Sequence, residues 1–452
     1  MNIQHFKEAK QSLKTRPGLS ILVVMTMGVG IALLMTMFTT VYQQMRVPVP
    51  HISQERYLVL ADARPVEDES LMEAWQLPSF SWNDAQLLLN MESPAVRQSI
   101  NFTSRAVLEV DDPSIRPVWA EGSATDSEFF TIFDAPFLFG GPWTKETDMS
   151  GEAVMVISKD LNDILFGGEN SVGQTISAQG VRTTIIGVMD DWPIKAAFYD
   201  RSFSDREMHQ MFIPLGFAIQ NNLMRSGVMY CTPEQRQAIG DVRRDDINQL
   251  MASDCGWINV WAHMNSQSSV QEYEAMLSQL VQQQKDFGRY QRENVTTLVA
   301  NINDVVSMRG ADDWSRTLLV MAYLFFGVCL VNTVGILLAK FLNQSKRVSL
   351  YRALGASKSY ILKQYLIEVL CLGLIGGVAG LLLANLGLEV MFQVEMYQSD
   401  YDGDPKVVRQ YFTLDWQLIL TAVAIAVSSI VVAGLYPIWK ICNIPPAGQL
   451  KS

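Results

Sequence analysis

Trp416–Trp439 reads WQLILTAVAIAVSSIVVAGLYPIW, a run without charge and with a tryptophan at each end. A bilayer core ~30 Å thick takes about 20 apolar residues in a helix, and indole rings settle at its two edges. The stretch is therefore read as a membrane span. Three other stretches meet the same condition. Leu19–Tyr42 holds no charge, Thr317–Leu342 holds only Lys340, and Tyr365–Leu388 holds only Glu368. The first of them exceeds the apolar run of about 7–15 residues found in a cleaved signal peptide, and no small-x-small site follows it, so it is read as retained.

Composition agrees with a chain that is part in lipid and part in water. Apolar residues make up 49% and charged residues 18% of the 452. Between Gln44 and Asp313, 20 Lys and Arg stand against 38 Asp and Glu, so the remainder of the chain is net basic. An acidic bulk argues against a nucleic-acid partner, because phosphate binding needs a concentrated cationic surface.

The basic residues set an orientation. Lys7, Lys10, Lys14 and Arg16 precede the first span. Lys346, Arg347, Arg352, Lys358 and Lys363 lie between the second and third. Asp400, Asp402 and Asp404 lie between the third and fourth. Both termini are thus expected in the cytoplasm and the acidic segment outside. The fold class expected is an α-helical membrane protein with four transmembrane helices plus a large mixed α/β extracytoplasmic domain. The expected division is a cytoplasmic amphipathic helix at 1–17, spans at 18–43, 314–342, 361–390 and 415–440, and the outer domain at 44–313. A cytoplasmic element at 343–360, a short outer loop at 391–414 and a tail at 441–452 complete it. Ile3, Phe6 and Leu13 give the first segment its apolar side, as in an interfacial helix.

The outer segment reads as a folded domain. Ala153–Ser158 and Arg182–Val188 are rich in β-branched residues, as strands are. Asp160–Phe166 and Ser268–Asp286 carry helical periodicity. Cys231 and Cys255 lie in this segment. In an oxidising compartment a disulfide between them is one reading, and two free thiols is the other.

Within the spans, Gly376, Gly380 and Ala384 recur every four residues, and Ala422, Ala426, Ser429 and Ala433 form a second small-residue stripe. Such stripes let helix backbones approach in lipid, within one bundle or between two chains. Asn332 and Glu368 are polar residues inside spans. Glu368 is expected to be served by Lys363 or Gln364 at the cytoplasmic end.

Catalytic signatures are missing. The sequence holds no G-x-x-x-x-G-K-[ST], no H-E-x-x-H, no G-x-S-x-G and no paired Cys/His ligand set. His5, His51, His209 and His263 are scattered. Asp111-Asp112 and Asp190-Asp191 read as solvated turns rather than cation sites. Neither a metal site nor a catalytic residue is expected, and the chain is not expected to be an enzyme. A secondary transporter is disfavoured, since four spans with almost no buried charge offer no midplane site.

The stretch VNTVGILLAKFLNQSKRVSLYRALGASKSYILKQYLIEVL, from Val331, resembles the core of the MacB/FtsX-like permease family of ABC transporters. Its most specific piece is R-A-L-G-A at Arg352–Ala356. Y-L-I-E at Tyr365–Glu368, G-G-x-x-G at Gly376–Gly380, G-L-Y-P at Gly434–Pro437 and the ending I-P-P-A-G-Q-L follow in order. Upstream, Gly122–Phe133, Gly141–Trp143, Ser171–Ser177 and Ile186–Val188 are similar to the MacB periplasmic domain. Lys346–Ser349 departs from the family, many of whose members carry an acidic residue there.

The resemblance implies a permease subunit without its own nucleotide site, in a bacterial inner membrane. ATP and magnesium would be held by a separate ABC ATPase subunit. A second permease chain, identical or paralogous, and a periplasmic adaptor are the further partners implied. It also implies that the element at 343–360 couples to the ATPase. Val348, Tyr351 and Leu354 are expected as an apolar ridge there, with Arg347 and Arg352 around it. Gly355 would stop the helix, Ala356 would follow it, and Ser357 would cap the next. The function implied is mechanotransmission for export, efflux or lipoprotein release. Two rivals stand beside it. One is a regulatory subunit that activates a periplasmic partner such as a cell-wall hydrolase. The other is a receptor with no ATPase.

Overall fold

The structure, a computed structural model, describes residues 17–62, 79–192, 194, 197–200, 208–226, 229, 231, 246–290, 295–311, 313–398 and 405–443. The amphipathic helix expected at 1–17 lies almost wholly outside these residues, as does most of the tail at 441–452. The chain forms two compact units, one from Met1–Met45, Ala311–Tyr401 and Val408–Ser452, the other from Arg46–Gly310 and Asp402–Val407.

Four helices of the first unit are long and apolar enough to cross a membrane. Span one is Pro17–Gln44, span two Asp313–Leu342, span three Lys358–Gln398 and span four Trp416–Cys442. The Asp415 side chain caps span four by accepting from the Leu418 N–H at 2.9 Å. The segment 391–414, expected as a loop, is largely helical. Span three runs on to Gln398, and Pro405–Tyr411 forms a further short helix. Leu388, Phe392, Val408 and Phe412 pack together there, and the Arg409 guanidinium lies 3.9 Å from the Phe392 ring centre while pairing with Glu389. These side-chain contacts, remote in sequence, extend the helix past the apolar run.

The small-residue stripes are used inside the chain. A Cβ at Gly380 would lie 2.8 Å from Ile31, and one at Gly376 would lie 3.3 Å from Met27. Thr36 Oγ1 donates to the Ala384 carbonyl at 3.4 Å. Span three therefore seats on span one along Gly376, Gly380 and Ala384. Ala422, Ala426 and Ala433 are buried. A Cβ at Gly377 would meet Ala426 at 2.9 Å, and one at Gly434 would meet Val369 at 2.9 Å, so the second stripe seats on span three.

The second unit is built on a mixed sheet of ten strands among the described residues. These are β1 Arg56–Asp62, β2 Arg97–Glu109, β3 Val118–Thr125, β4 Phe137–Gly140, β5 Val154–Ser158, β6 Thr175–Ala178, β7 Val181–Met189, β8 Met211–Pro214, β9 Asn259–His263 and β10 Thr296–Asn301. Their order is β10-β1-β9-β2-β3-β8-β5-β7-β4, with β6 against β2 and β7. The long pair β2/β3 is antiparallel, while β3/β8 and β5/β7 are parallel.

Successive strand residues point to opposite faces, and here both faces are buried. Val59 and Ala61 of β1 enter one core, with Met155 and Ile157 of β5. Leu58 and Leu60 enter the other, with Val154 and Val156. The first core is closed by the helix Gln267–Asp286, which buries Val270, Tyr273, Met276, Leu277 and Leu280. The second is aromatic, with Phe129, Phe133, Tyr199 and Trp261 packed edge to face.

At the centre of the sheet, β2, β3 and β9 turn buried polar residues to the aromatic side. Thr103 Oγ1 donates to Asp200 at 2.6 Å, Asn259 Nδ2 donates to the same carboxylate at 3.2 Å, and Ser79 Oγ donates to Asn259 at 3.1 Å. His209 is buried with Nε2 3.7 Å from Asp200, and burial pushes its pKa down to about 4. Asp126 is half-buried with its Oδ1 shut off from water, and this desolvation lifts its carboxyl to about 7 although the Ile100 N–H it accepts pulls the other way.

Candidate functional site

The helix Ser345–Ala353 follows span two after a tight turn in which the Gln344 N–H bonds the Phe341 carbonyl. Three bonds close its end: Leu354 to Leu350, Gly355 to Arg352 and Ala356 to Tyr351. The last two reach carbonyls left open by the final turn, and they require a left-handed residue between them. Gly355 supplies it at φ +96°. Ser357 Oγ then accepts the Tyr360 N–H at 3.2 Å and starts span three. Gly355 and Ser357 thus stand as stop and cap.

The apolar ridge differs from the one expected from sequence. Val348 is 2% exposed and faces the bundle with Phe341, Ile438 and Ile441. Tyr351 is half-buried, and Arg347 covers it, its Nη2 donating to the Tyr351 hydroxyl at 3.0 Å. Leu354 is 77% exposed and Leu350 50%, one turn apart on the outward side. The outward ridge is therefore Leu350–Leu354, and Val348 is its anchor. Val348, Tyr351 and Leu354 share a three-residue step, but the helix turns Val348 inward and Leu354 outward. The four-residue step from Leu350 to Leu354 was equally present in the sequence.

Two cations hold this element to the end of span four. Arg352 Nη1 donates to the Cys442 carbonyl at 3.2 Å, and Lys358 Nζ donates to Asn443 Oδ1 at 3.1 Å. Both bonds fall where the last carbonyls of a helix lack partners and attract positive charge. Arg352 is thus a tether rather than a free surface charge.

Below the element lies a buried ion pair that the sequence reading missed. Lys340 Nζ stands 2.6 Å from Glu368 Oε1, with side chains 0% and 1% exposed, and it also donates to Ser20 Oγ at 2.8 Å. Glu368 is therefore served by Lys340 across spans two and three, not by Lys363 or Gln364. Register explains the difference. Lys340 sits on the inward side of span two, and Lys363 is exposed on span three. Tyr365 adds a bond from its hydroxyl to Gln344 Oε1 at 3.2 Å.

In the other unit, Cys231 and Cys255 form a disulfide with Cα atoms 4.5 Å apart. The acidic pairs are taken up locally. Asp112 accepts the Ser114 N–H at 2.8 Å, and Asp191 pairs with Lys159 at 2.6 Å. Among the described residues no group of three or more His, Cys, Asp and Glu is placed to hold a metal ion.

Comparison with known proteins gives two family matches. The MacB-like periplasmic core domain matches residues 20–280, and the FtsX-like permease C-terminal domain matches residues 319–446. The macrolide export ATP-binding/permease protein MacB of Syntrophobacter fumaroxidans is 22% identical over 400 residues, 81% of this chain and 52% of that protein. The pyoverdine export ATP-binding/permease protein PvdT of Pseudomonas syringae pv. syringae is 23% identical over 328 residues, 72% of this chain and 42% of that protein. The chain thus spans about half the length of these relatives or less. The periplasmic region of MacB from Actinobacillus actinomycetemcomitans covers 59% of the chain at a TM-score of 0.36 and 11% identity, with 97% of that structure matched.

Proposed function

The chain belongs to the MacB/FtsX-like permease family, and from that premise we propose that it is the membrane subunit of an ABC transporter driven by an ATPase on a separate subunit. The observation that carries the reading is the Leu350–Leu354 ridge. It is a pair of exposed leucines on a helix that is anchored by Val348 and tethered by Arg352. Such a ridge fits an apolar groove on a partner, and in this family's architecture the partner on that side is the ATPase. The Lys and Arg distribution supports a cytoplasmic position for the element and for both termini.

Closure of the ATPases on ATP would push the element, and the Lys340–Glu368 pair would pass the push to spans two and three. The outer domain is covalently continuous with spans one and two, so their motion loads it directly. Work is then done by mechanotransmission, without a path for cargo between the helices. The relatives named for export favour an export or efflux role over a regulatory one, with two permease chains and two ATPases per assembly. A regulatory subunit acting on an outer partner is the second reading, favoured by the same lever arrangement.

The test is ATPase stimulation in reconstituted membranes. Leu354→Asp should abolish stimulation of the co-expressed ATPase while the permease stays folded. Full stimulation in that variant, with ATPase still co-purifying, would remove the ridge as the coupling surface.

A further inference from the structure

β2, β3 and β9 carry a polar grid on the face they turn to the aromatic core. Asn101 is its centre. It stands opposite Asn259 of β9 on one side and Thr125 of β3 on the other, and Thr103, two residues on, stands opposite Ser123. Ser99, Asn101, Thr103, Ser123, Thr125 and Asn259 are each 0–1% exposed. Most of the grid is served by protein groups. Asn259 uses both ends of its amide, on Ser79 and Asp200, and the Thr103 and Thr125 hydroxyls donate to Asp200 and to the Ile100 carbonyl.

Asn101 is the exception. Among the described residues neither its Oδ1 nor its Nδ2 has a hydrogen-bond partner, so turning the amide over would not serve it. Ser123 Oγ, diagonal to it across the β2/β3 pair, also has none. Two residues back along β2, Ser99 stands beside the Asp126 carboxyl, whose Oδ1 is shut off from water and without a partner. A buried amide elsewhere in the domain is satisfied. Asn162, 0% exposed, donates to the Glu169 carbonyl and accepts from Ser171. Buried polar atoms without partners are rare in native folds, and several of them on one patch of sheet mark a place where something polar binds.

We infer that Asn101 holds ordered water inside the outer domain, one molecule toward Ser123 and one toward Ser99 and Asp126. This rests on the fold of the domain and not on the reading of the chain as a permease. The spacing fits a bridge better than a direct bond. Residues two apart on a strand are separated by about 7 Å, and diagonal cross-strand neighbours by about 7–8 Å, which leaves short side chains one water short of contact. The chemistry selects water over an ion. An amide carries donors on one end and an acceptor on the other, and a hydroxyl is both. A cation here would leave Nδ2 unmet and an anion would leave Oδ1 unmet, whereas water accepts from one and donates to the other. The surroundings are aromatic. Phe212 stands opposite Ser123 on β8, Phe129 lies 5.5 Å from it ring to ring, and both are 0% exposed, so water bound there is cut off from the bulk.

The experiment is X-ray radiolytic labelling of the full chain in lipid nanodiscs, read residue by residue by mass spectrometry. X-rays split water wherever it sits, so a bound water releases its hydroxyl radical onto the side chains that touch it. Photolysis of hydrogen peroxide makes the same radical in the surrounding solution and serves as the reference. Under X-rays Phe129 and Phe212 should take up oxygen several-fold faster than Phe217, which is 1% exposed in the other core. Under photolysis they should label no faster than Phe217. Asn101→Leu and Ser123→Ala should each lower the X-ray labelling of Phe212 toward the level of Phe217. A variant that fails to fold is recognised by labelling of Phe217 under photolysis, and the wild type then decides alone. Equal X-ray labelling of the three phenylalanines in the wild type would overturn the inference. So would labelling of Phe129 and Phe212 as fast under photolysis as under X-rays, or X-ray labelling unchanged in a folded Asn101→Leu.

Discussion

Lys340 and Glu368 meet at 2.6 Å in the interior of the helical unit, and neither side chain is more than 1% exposed. The two residues bracket the whole element at 343–360, so the pair closes the base of the hairpin that carries the Leu350–Leu354 ridge. Ser20 adds the first span to the same knot. Burying two charges is costly, and such pairs are better explained by the register they impose than by net stability.

The first prediction concerns that pair. Lys340→Met leaves a buried carboxylate without its cation and should destabilise the detergent-solubilised protein by about 3 kcal/mol or more. Lys340→Met with Glu368→Leu should recover most of the loss, because neither charge is then stranded. Thermal unfolding measures both. Equal Tm values for the wild type and Lys340→Met would show that the pair holds nothing.

A second prediction separates the anchor from the ridge. Val348→Asp places a charge in a site that is 2% exposed and should lower Tm sharply. Leu354→Asp, at a site that is 77% exposed, should leave Tm within about a degree of the wild type, because surface changes cost ~0.5 kcal/mol or less. Only the second variant should fold normally while losing ATPase stimulation.

The third prediction tests the seat of span three on span one. Gly380→Ala puts a methyl 2.8 Å from Ile31 and 3.0 Å from the Gly28 carbonyl, and should cost about 1–3 kcal/mol. Gly327→Ala adds the same methyl where nothing lies within 4 Å, and should be neutral or slightly stabilising. If both variants melt alike, the close approach is not a constraint.

The fourth prediction is a masked pH dependence in the outer domain. His209 is held neutral, with its pKa at about 4 against 6.5. Its contribution is present above pH 6.5 and is lost as pH falls toward 4, because the unfolded chain takes the proton first. Asp126 runs the other way, at about 7 against 3.8. Its contribution is present below pH 3.8 and is lost as pH rises toward 7. Each shift is worth about 3–4 kcal/mol, and across pH 4–6.5 they oppose each other. Asp126→Asn should therefore expose a loss of stability on acidification, and His209→Gln a loss on raising the pH. Denaturant titrations of the full chain at pH 4.5 and 6.5 give the slopes, and parallel slopes in both variants and the wild type would refute the assignment.

Much of the outline is legible in the sequence. The four apolar runs needed only bilayer thickness and charge counting. The Ser345–Ser357 hairpin needed only a left-handed glycine and a serine cap. The outer domain was harder to read for a definite reason. β2 alternates as a strand should, but its residues Asn101 and Thr103 are polar and buried. A pattern that equates polar with exposed turns the polar face of such a strand to solvent, where the structure buries it. The apolar strands β5 and β7 stand out in the sequence more clearly than the central, partly polar ones.

What the sequence determined by itself is local: which segments are apolar enough to enter lipid, where helices stop, and which family motifs are present. What only the tertiary structure decided is pairing. It gave Glu368 to Lys340 rather than to Lys363. It turned Val348 inward and left Leu350 outward, and it closed both small-residue stripes within one chain while leaving Asn332 uncovered. Those outcomes depend on the rotation of each helix about its axis. That rotation is fixed by side chains packing across elements far apart in sequence, such as Gly380 against Ile31 or Ala426 against Gly377. Composition and period place a residue on a helix, but only its neighbours decide which way it faces.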